Sequence, residues 1–428
     1  MLTFFGAWLG LVLMAMPVAF ALGVVAVGWL LAEGAPMIGA PQRLMAGVDS
    51  FTLLAVPFFI LAGNLMNTSG VTDRIYDFAS SLVGHFRGGL GQVNVVGSVI
   101  FSGMSGSAVA DAGGLGALEI KAMAKEGYPR DFAGALTAAS CVVGPIIPPS
   151  IPLVLYAVIA NVSVGRLFLG GILPGIVIAL CLMAYVWWVA GRRGFPRGRR
   201  FSWAARGRAF ARAILPLLTP TIILGGIFAG VFTATEAAAV AALYALILGT
   251  VVYRALGWRD LLRVFRESMN TTAVVGFIVA AATLFNWVLA RERVPQQVAE
   301  LLLGVTDDPL LMLLLINLLL LFLGMFMEAL AVMVLTVPVL MPVVTALGID
   351  PVHFGLVLTL NLMIGLLTPP MGIGLFMVAK VGGIPLQALI RAALPFYVPL
   401  FVALALITAF PQITTFLPDL VFGPQLRR

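Results

Sequence analysis

Two short segments, 144–150 (GPIIPPS) and 365–371 (GLLTPPM), have an unusual backbone chemistry. Each places two consecutive prolines inside an otherwise apolar stretch. A proline removes a backbone N–H and displaces the carbonyl one turn earlier, so two in a row unwind a helix. The freed carbonyl oxygens are hard ligands for a small cation, and the broken helix ends offer positive dipole ends to an anion. A cation and a carboxylate could therefore be bound together without a buried charged side chain.

Acidic side chains are rare in the apolar stretches, and two of them are candidates for a role in such a site. Asp111 and Glu328 lie in glycine-containing segments, GMSGSAVADAGG and GMFMEALA. An ionisable residue at membrane depth is by default a functional candidate. The alternative is that each acid caps a half-helix or binds backbone N–H groups. The sequence leaves both alternatives open.

Small polar residues accompany the first of these acids. Ser102, Ser105 and Ser107 precede Asp111. They could be ion ligands, or simply small residues that allow helices to approach each other closely.

Residues 103–106 (GMSG) also have the GxSG pattern found around the nucleophile of intramembrane serine proteases. A serine nucleophile requires a nearby base, usually histidine. His85 adjoins a basic loop, and His353 is predicted to lie in a loop of the second half. Because neither is placed on an apolar helix, we predict no catalytic site.

The elements that must position these residues are membrane helices. The 428 residues are 61% hydrophobic and only 10% charged, whereas globular domains are about 45–50% apolar and about 25% charged. Runs such as 1–32, 132–165 and 354–379 contain no charge at all. Since about 20 apolar residues span a bilayer, we predict an all-α polytopic membrane protein with about a dozen membrane segments. Nucleic-acid binding, a Rossmann enzyme and a secreted disulfide scaffold are excluded.

Basic loops predict the orientation of the chain. Many arginines lie between 192 and 212, and short loops this basic are cytoplasmic. Two segments, 88–120 and 310–348, each begin and end on the same predicted side, and their arms are expected to be too short to span. We therefore predict two re-entrant hairpins with tips at membrane depth. Irregular backbone is tolerated there only inside protein or along a cavity.

The chain also contains an internal repeat. Segment 101–174 aligns with 322–395 without a gap, and Gly144, Pro148 and Pro149 coincide with Gly365, Pro369 and Pro370. Glycine and proline determine local backbone conformation, so matches at these residues indicate a shared backbone structure. Equivalent points are separated by five predicted crossings, which makes the copies inverted. Inverted repeats with broken helices at matching positions are typical of secondary transporters.

Three blocks of the sequence resemble the large membrane subunit of tripartite ATP-independent periplasmic (TRAP) transporters. They are 101–123 (FSGMSGSAVADAGGLGALEIKAM), 127–175, which contains GPIIPPS, and 365–396. The resemblance covers nearly the whole chain. It implies a multi-pass importer in the inner membrane of a bacterium or archaeon, with an elevator-type transport domain in an inverted-repeat, ion-transporter-like fold. Relatives work with a smaller four-helix membrane subunit and a soluble periplasmic substrate-binding protein. They couple uptake of carboxylates, such as C4-dicarboxylates or sialic acid, to sodium.

The resemblance also implies binding residues at matching positions. The first sodium site would use Ser102, Ser105, Gly144, Ile147 and Pro149. The second would use Gly324, Gly365, Thr368 and Met371. Substrate contacts would come from Ser107, Ser150 and Glu328. We expect no metal other than sodium, no organic cofactor, no ATP site and no nucleic-acid partner, while membrane lipids surround the chain.

These observations predict five regions. They are N-terminal scaffold helices (1–50), a first repeat (51–191) with hairpin 88–120 and broken helix 132–160, a basic cytoplasmic loop with linking scaffold helices (192–267), a second repeat (268–418) with hairpin 310–348 and broken helix 354–380, and a C-terminal tail (419–428). One alternative function is a stand-alone dicarboxylate or other anion:cation symporter of the same superfamily. The alternative from a different class is the intramembrane serine protease.

Overall fold

The chain is helical, as the sequence predicts. The computed structural model describes residues 2–14, 16–196 and 202–424, and these ranges contain no strand. Within these ranges, seven helices are long and apolar enough to cross a membrane, and a bent pair, Gly39–Val48 with Thr52–Thr68, makes an eighth candidate. Five shorter apolar helices accompany them. The number of candidate spans is smaller than the expected dozen because several apolar runs are interrupted and do not form one long helix.

The helices are connected mostly by short turns. In chain order they are α1 (Leu2–Leu13), α2 (Val18–Ala32), α3 (Gly39–Val48), α4 (Ala55–Thr68), α5 (Val71–Val83), α6 (Gly89–Ser105), α7 (Ala108–Gly113), α8 (Leu115–Lys125), α9 (Arg130–Ser140), α10 (Ile151–Ala160), α11 (Val164–Arg193), α12 (Trp203–Phe228), α13 (Ala234–Ile247), α14 (Trp258–Arg291), α15 (Val294–Leu303), α16 (Pro309–Phe326), α17 (Ala329–Ala346), α18 (Pro351–Gly365), α19 (Ile373–Gly382), α20 (Leu386–Ala393), α21 (Tyr397–Ala409) and α22 (Gln412–Phe422). Short 3₁₀ turns occupy Thr52–Leu54, Cys141–Val143 and Leu394–Phe396, and a π turn, Leu248–Val252, extends α13.

Polar N-caps explain where several helices begin, and one of them corrects the sequence interpretation. Asp350 accepts hydrogen bonds from the N–H groups of Val352 (2.7 Å) and His353 (3.2 Å). Such a cap stabilises a helix by about 1 kcal/mol, and Pro351 suits the first helical position. His353 therefore lies buried in the first turn of α18, and the prediction that it lies in a loop is wrong.

The two hairpin regions differ in the continuity of their second arm. In the first, α6 is followed by α7 and α8, and the second arm bends at Gly114 and continues to Lys125, beyond the predicted end at 120. In the second, α16 and α17 have 18 residues each, which is about 27 Å of helix. Both arms are long enough to cross a bilayer core, so the expectation that they are too short is wrong for this hairpin.

The chain leaves helical geometry at both Pro-Pro segments. Helix α9 ends in the 3₁₀ turn Cys141–Val143, and irregular backbone continues until α10 starts. Helix α18 ends at Gly365, and irregular backbone continues until α19 starts. The peptide bonds between the two prolines are cis in both segments. We refer to these segments, 144–150 and 366–372, as the first and second breaks.

The two halves pack in a reciprocal pattern. Helix α9 packs against α6 and α8 of the first hairpin, while α10, beyond the break, packs against α17 and α18. In the second half, α18 packs against α16 and α17, while α19 packs against α7, α8 and α9. Each interrupted helix therefore joins its own hairpin to the other half of the molecule.

Helix α14 encloses this centre from one side. It has 34 residues and packs along α2, α3 and α4, and it also contacts α17. Asn64 of α4 donates a hydrogen bond to the hydroxyl oxygen of Ser268 on α14 (2.9 Å), and Asn286 of α14 donates to the carbonyl of Val334 on α17 (2.9 Å). The first bond joins two surrounding helices, and the second joins α14 to the second hairpin.

Cysteine labelling tests the predicted orientation at two exposed positions, Gly207 at the start of α12 and Asp307 between α15 and α16. In a background lacking Cys141 and Cys181, we expect a membrane-impermeant maleimide to label Gly207→Cys only from the cytoplasmic side and Asp307→Cys only from the opposite side. The comparison uses inside-out and right-side-out vesicles. Labelling of both positions from one side would contradict the orientation. Residues 197–201 of the basic loop lie outside the described residues.

Candidate functional site

The tip of the first hairpin lies directly on the first break. The carbonyl of Gly106 accepts a hydrogen bond from the N–H of Ile151 (3.4 Å), which starts α10. Gly106 has φ +60°, and a Cβ there would overlap the carbonyl oxygen of Pro149. Gly144 is similarly close to the tip, since its Cβ would lie 3.4 Å from the backbone of Ser107 and Ala108. Glycine is therefore needed at position 106, where the two backbones meet.

The second hairpin and the second break meet in the same way. The N–H of Met371 donates a hydrogen bond to the carbonyl of Met325 (3.3 Å). Gly324 and Gly365 face each other so closely that a Cβ on Gly365 would lie 2.9 Å from the Cα of Gly324. The structure thus brings Gly324, Gly365 and Met371 of the predicted second sodium site together. Thr368 lies in the same break.

Several carbonyl oxygens in the breaks are available as ligands. Among the described residues, no hydrogen bond ends on the carbonyl of Gly144, Ile147 or Pro149. At the second break, the carbonyl of Gly365 accepts from the N–H of Thr368 (2.8 Å). The hydroxyl of Thr368 donates to the carbonyl of Ile364 (2.8 Å), which leaves its own lone pairs available. Oxygen ligands of this kind suit a hard cation.

The two serines of the predicted first sodium site have different environments. The hydroxyl of Ser102 donates to the carbonyl of Ser98, one turn earlier. The hydroxyl of Ser105 is buried and has no hydrogen-bond partner among the described residues. Ser105 is therefore free to act as a ligand, and no described residue forms with this serine the hydrogen bond that a general base would form. His353 instead places Nδ1 2.9 Å from the hydroxyl of Thr414.

A cavity of about 310 Å³ lies where the two hairpin tips converge. Its walls include the first tip from Ser105 to Ala110, the second tip from Glu328 to Leu330, and parts of both interrupted helices. Helices α4 and α14 close the other side. Small-molecule sites occupy about 300–1,000 Å³ and combine apolar walls with a few polar groups, and this cavity has both features.

The three predicted substrate residues lie at helix N-caps. Ser107 caps α7 and Glu328 caps α17, with Glu328 accepting from the N–H of Ala331 (3.1 Å). Both line the cavity, and they occupy equivalent positions in the alignment of 101–174 with 322–395. Ser150 caps α10 but is fully buried, donates to the carbonyl of Pro145 and does not line the cavity. Glu328 is the one ionisable residue among the described residues of the cavity wall.

Two polar residues of the cavity wall were not predicted. Asn64 of α4 and Thr271 of α14 line it from the surrounding helices. Asn64 interrupts the apolar stretch 53–66, and this isolated amide was the available signal. Thr271 follows a charged segment at the start of α14, where the sequence carries no comparable signal. Whether these two side chains line the cavity depends on helix packing, which a single sequence does not reveal.

Comparisons with known proteins agree on one family. Residues 5–413 match the family described as "Tripartite ATP-independent periplasmic transporter, DctM component". The sialic acid TRAP transporter large permease protein SiaM of Vibrio cholerae is 54% identical over 417 residues, covering 97% of this chain and 98% of the relative. The sialic acid TRAP transporter permease protein SiaT of Haemophilus influenzae is 50% identical, covering 89% of this chain and 62% of the relative.

A solved structure has a similar fold at low sequence identity. The YdaH transporter of Alcanivorax borkumensis superimposes with a TM-score of 0.61 at 16% identity, covering 89% of this chain and 88% of that chain. At this identity the similarity concerns the fold alone.

Proposed function

This chain belongs to the DctM component family of tripartite ATP-independent periplasmic (TRAP) transporters, and on that premise we propose that it is the large membrane subunit of a sodium-coupled organic-acid importer. The observation that carries the proposal is the cavity at which both hairpin tips and both interrupted helices converge. Secondary transporters bind substrate and coupling ions at such broken helices near the membrane midplane. The proposed location is the inner membrane of a bacterium.

The proposed architecture is an inverted repeat with two helical hairpins, the first of which is re-entrant. It is supported by the reciprocal packing, in which α10 contacts α17 and α18 while α19 contacts α7, α8 and α9. It is also supported by the two backbone bonds, Ile151 to Gly106 and Met371 to Met325, which link each break to its own hairpin tip. A hairpin, break and cavity that are held together can move as one body, so we include an elevator mechanism in the proposal.

Sodium is the proposed coupling ion, and the breaks are its proposed sites. Carbonyl groups of Gly144, Ile147 and Pro149 with the free hydroxyl of Ser105 form the first oxygen set. The second set combines the backbone near Gly324 and Gly365 with Thr368 and Met371, as the sequence predicts. Neutral oxygens bind a monovalent cation without the repulsion that an extra buried carboxylate would exert on an anionic substrate.

Sialic acid is the proposed substrate among the carboxylates. Both relatives described above are sialic acid transporters by name. The cavity wall supports the same choice, because Glu328 is a hydrogen-bond acceptor and repels negative charge. A polyhydroxylated acid can donate hydroxyl groups to Glu328 and place its single carboxylate elsewhere. A C4-dicarboxylate has a second negative charge and fewer donors.

The proposed partners follow from the tripartite family. They are a small four-helix membrane subunit and a soluble periplasmic binding protein that delivers the substrate. Exposed apolar side chains on the surrounding helices, such as Trp187, Trp203 and Phe277, provide surface for lipid or for a membrane partner.

Uptake into proteoliposomes that contain both proposed partners tests the substrate assignment. We expect labelled sialic acid uptake to resist competition by an excess of succinate. Glu328→Gln should lower sialic acid uptake about tenfold, because hydrogen bonds to a charged group contribute about 1.5–3 kcal/mol. Glu300→Gln on the exposed end of α15 is the matched control and should leave uptake unchanged. Equal competition by succinate, or equal effects of both variants, would contradict the assignment.

A further inference from the structure

Two acidic residues are completely buried in the second arm of the first hairpin. Asp111 on α7 is 0% exposed and Glu119 on α8 is 1% exposed. Neither forms an ion pair within the described part of the chain. Neither lines the cavity between the hairpin tips. These two carboxyl groups therefore need an explanation other than substrate contact or charge pairing.

Neutral polar side chains of α6 and α9 surround the pair. Asn94 donates hydrogen bonds to Oε2 of Glu119 (2.7 Å) and to the hydroxyl of Thr137 (2.8 Å). Ser140 donates to Oδ1 of Asn94 (2.8 Å). This network holds Glu119 in place through one of its two oxygens.

Within the described ranges, the remaining carboxyl oxygens have no hydrogen-bond partner. Asp111 faces the side chains of Ser98 and Cys141, yet neither of its oxygens accepts a hydrogen bond of ordinary geometry from the described residues. The hydroxyl of Ser98 is directed to that of Ser140 instead (3.1 Å). Oε1 of Glu119 is likewise unpartnered. A buried ionised carboxylate without a partner costs several kcal/mol, so a positive charge must compensate the pair.

Close packing favours the smallest possible cation. Oε1 of Glu119 lies so near the backbone of Gly97 that a Cβ there would be only 2.8 Å away. A sodium ion needs a shell of oxygen ligands on all sides, whereas a proton on a carboxyl oxygen occupies almost no additional volume. A protonated carboxyl also becomes a hydrogen-bond donor to its neighbour.

The second hairpin indicates that packing alone does not require these acids. In the alignment of the two repeats, Asp111 corresponds to Val332 and Glu119 to Leu340. Both aliphatic residues are buried, at 0% and 2% exposure. The equivalent arm thus folds with apolar side chains at both positions, and the acids are a property of the first hairpin alone.

We propose that Asp111 and Glu119 form a proton-binding site within the first hairpin, separate from the sodium sites proposed at the Pro-Pro breaks. The titratable groups that face the pair are the two carboxyl groups themselves and the thiol of Cys141. With one proton bound the pair carries a single negative charge, and with two it is neutral. The first hairpin therefore binds a proton in addition to the sodium ion proposed at the first break.

Infrared spectroscopy of the purified full chain in lipid tests the site, because a protonated carboxylic acid has a carbonyl stretch of its own. We expect this band at neutral pH in the wild type, and expect it to lose intensity in Asp111→Asn and in Glu119→Gln. Glu126→Gln, at the exposed end of α8, is the matched control and should retain the full band. Isosteric amides preserve the shape of the buried groups, and elution as a single species checks folding.

Two results would overturn the proposal. The first is the absence of the protonated-acid band in the wild type at every pH at which the chain is folded, a measurement that requires no variant. The second is loss of the band when sodium replaces choline at constant pH, which would show that the pair binds sodium instead. Retention of the band in sodium, with loss in both isosteric variants, supports the proton site independently of whether uptake is coupled to sodium.

Discussion

Replacing Gly106 by alanine should lower transport at least tenfold, whereas the same replacement at Gly383 should have little effect. Both glycines have φ +60°, so alanine carries the same left-handed backbone cost, about 1–2 kcal/mol, at either position. Only at Gly106 does the new methyl group overlap a rigid neighbour, the carbonyl of Pro149. Overpacking of this kind costs typically about 1–3 kcal/mol. The hairpin tip must then move away from the break, which displaces Ser105 from the carbonyl oxygens.

The comparison isolates the contact from the backbone cost, since a Cβ at Gly383 meets no atom within 4 Å. Both variants would be assayed for sialic acid uptake and for thermal stability in the same proteoliposomes. Equal loss of uptake in the two variants would mean that backbone conformation alone matters. The convergence of tip and break would then have no role in transport.

The positions of both breaks were predictable from sequence because proline acts on the backbone locally. Two adjacent prolines cannot continue a helix in any tertiary environment. In the structure, the Pro-Pro segments separate α9 from α10 and α18 from α19. The alignment of 101–174 with 322–395 was visible for the same reason. Local backbone rules can be applied to a sequence without any information on tertiary packing.

Residues that depend on packing were harder to predict. Helix α18 starts one turn earlier than expected because Asp350 and Pro351 form a helix start, which places His353 inside the helix. Glu119 was not singled out, since the sequence places it near Lys121 and Lys125 in an ordinary charged segment. Its complete burial follows from contacts of α8 with α6 and α9, which no local pattern encodes.

Replacing Pro369 and Pro370 together by alanine should abolish sodium-dependent uptake. Without the prolines the segment regains N–H groups and can continue α18 with helical hydrogen bonds, which withdraws the carbonyl oxygens of the second break. Thr368→Ala is a milder change that removes one hydroxyl, and it should raise the sodium concentration for half-maximal uptake while folding persists. The matched control is Pro338→Ala with Pro342→Ala, because both prolines lie inside the continuous helix α17. The control pair should retain sodium-dependent uptake.

The most direct test of sodium coupling is the sodium dependence of sialic acid uptake by the wild-type chain with both partners in proteoliposomes. An inward sodium gradient is compared with an inward proton gradient in sodium-free choline medium. We predict uptake that rises with external sodium and is absent in choline, with or without the proton gradient. Uptake indifferent to sodium, or driven by the proton gradient alone, would contradict the assignment of the Pro-Pro breaks as sodium sites.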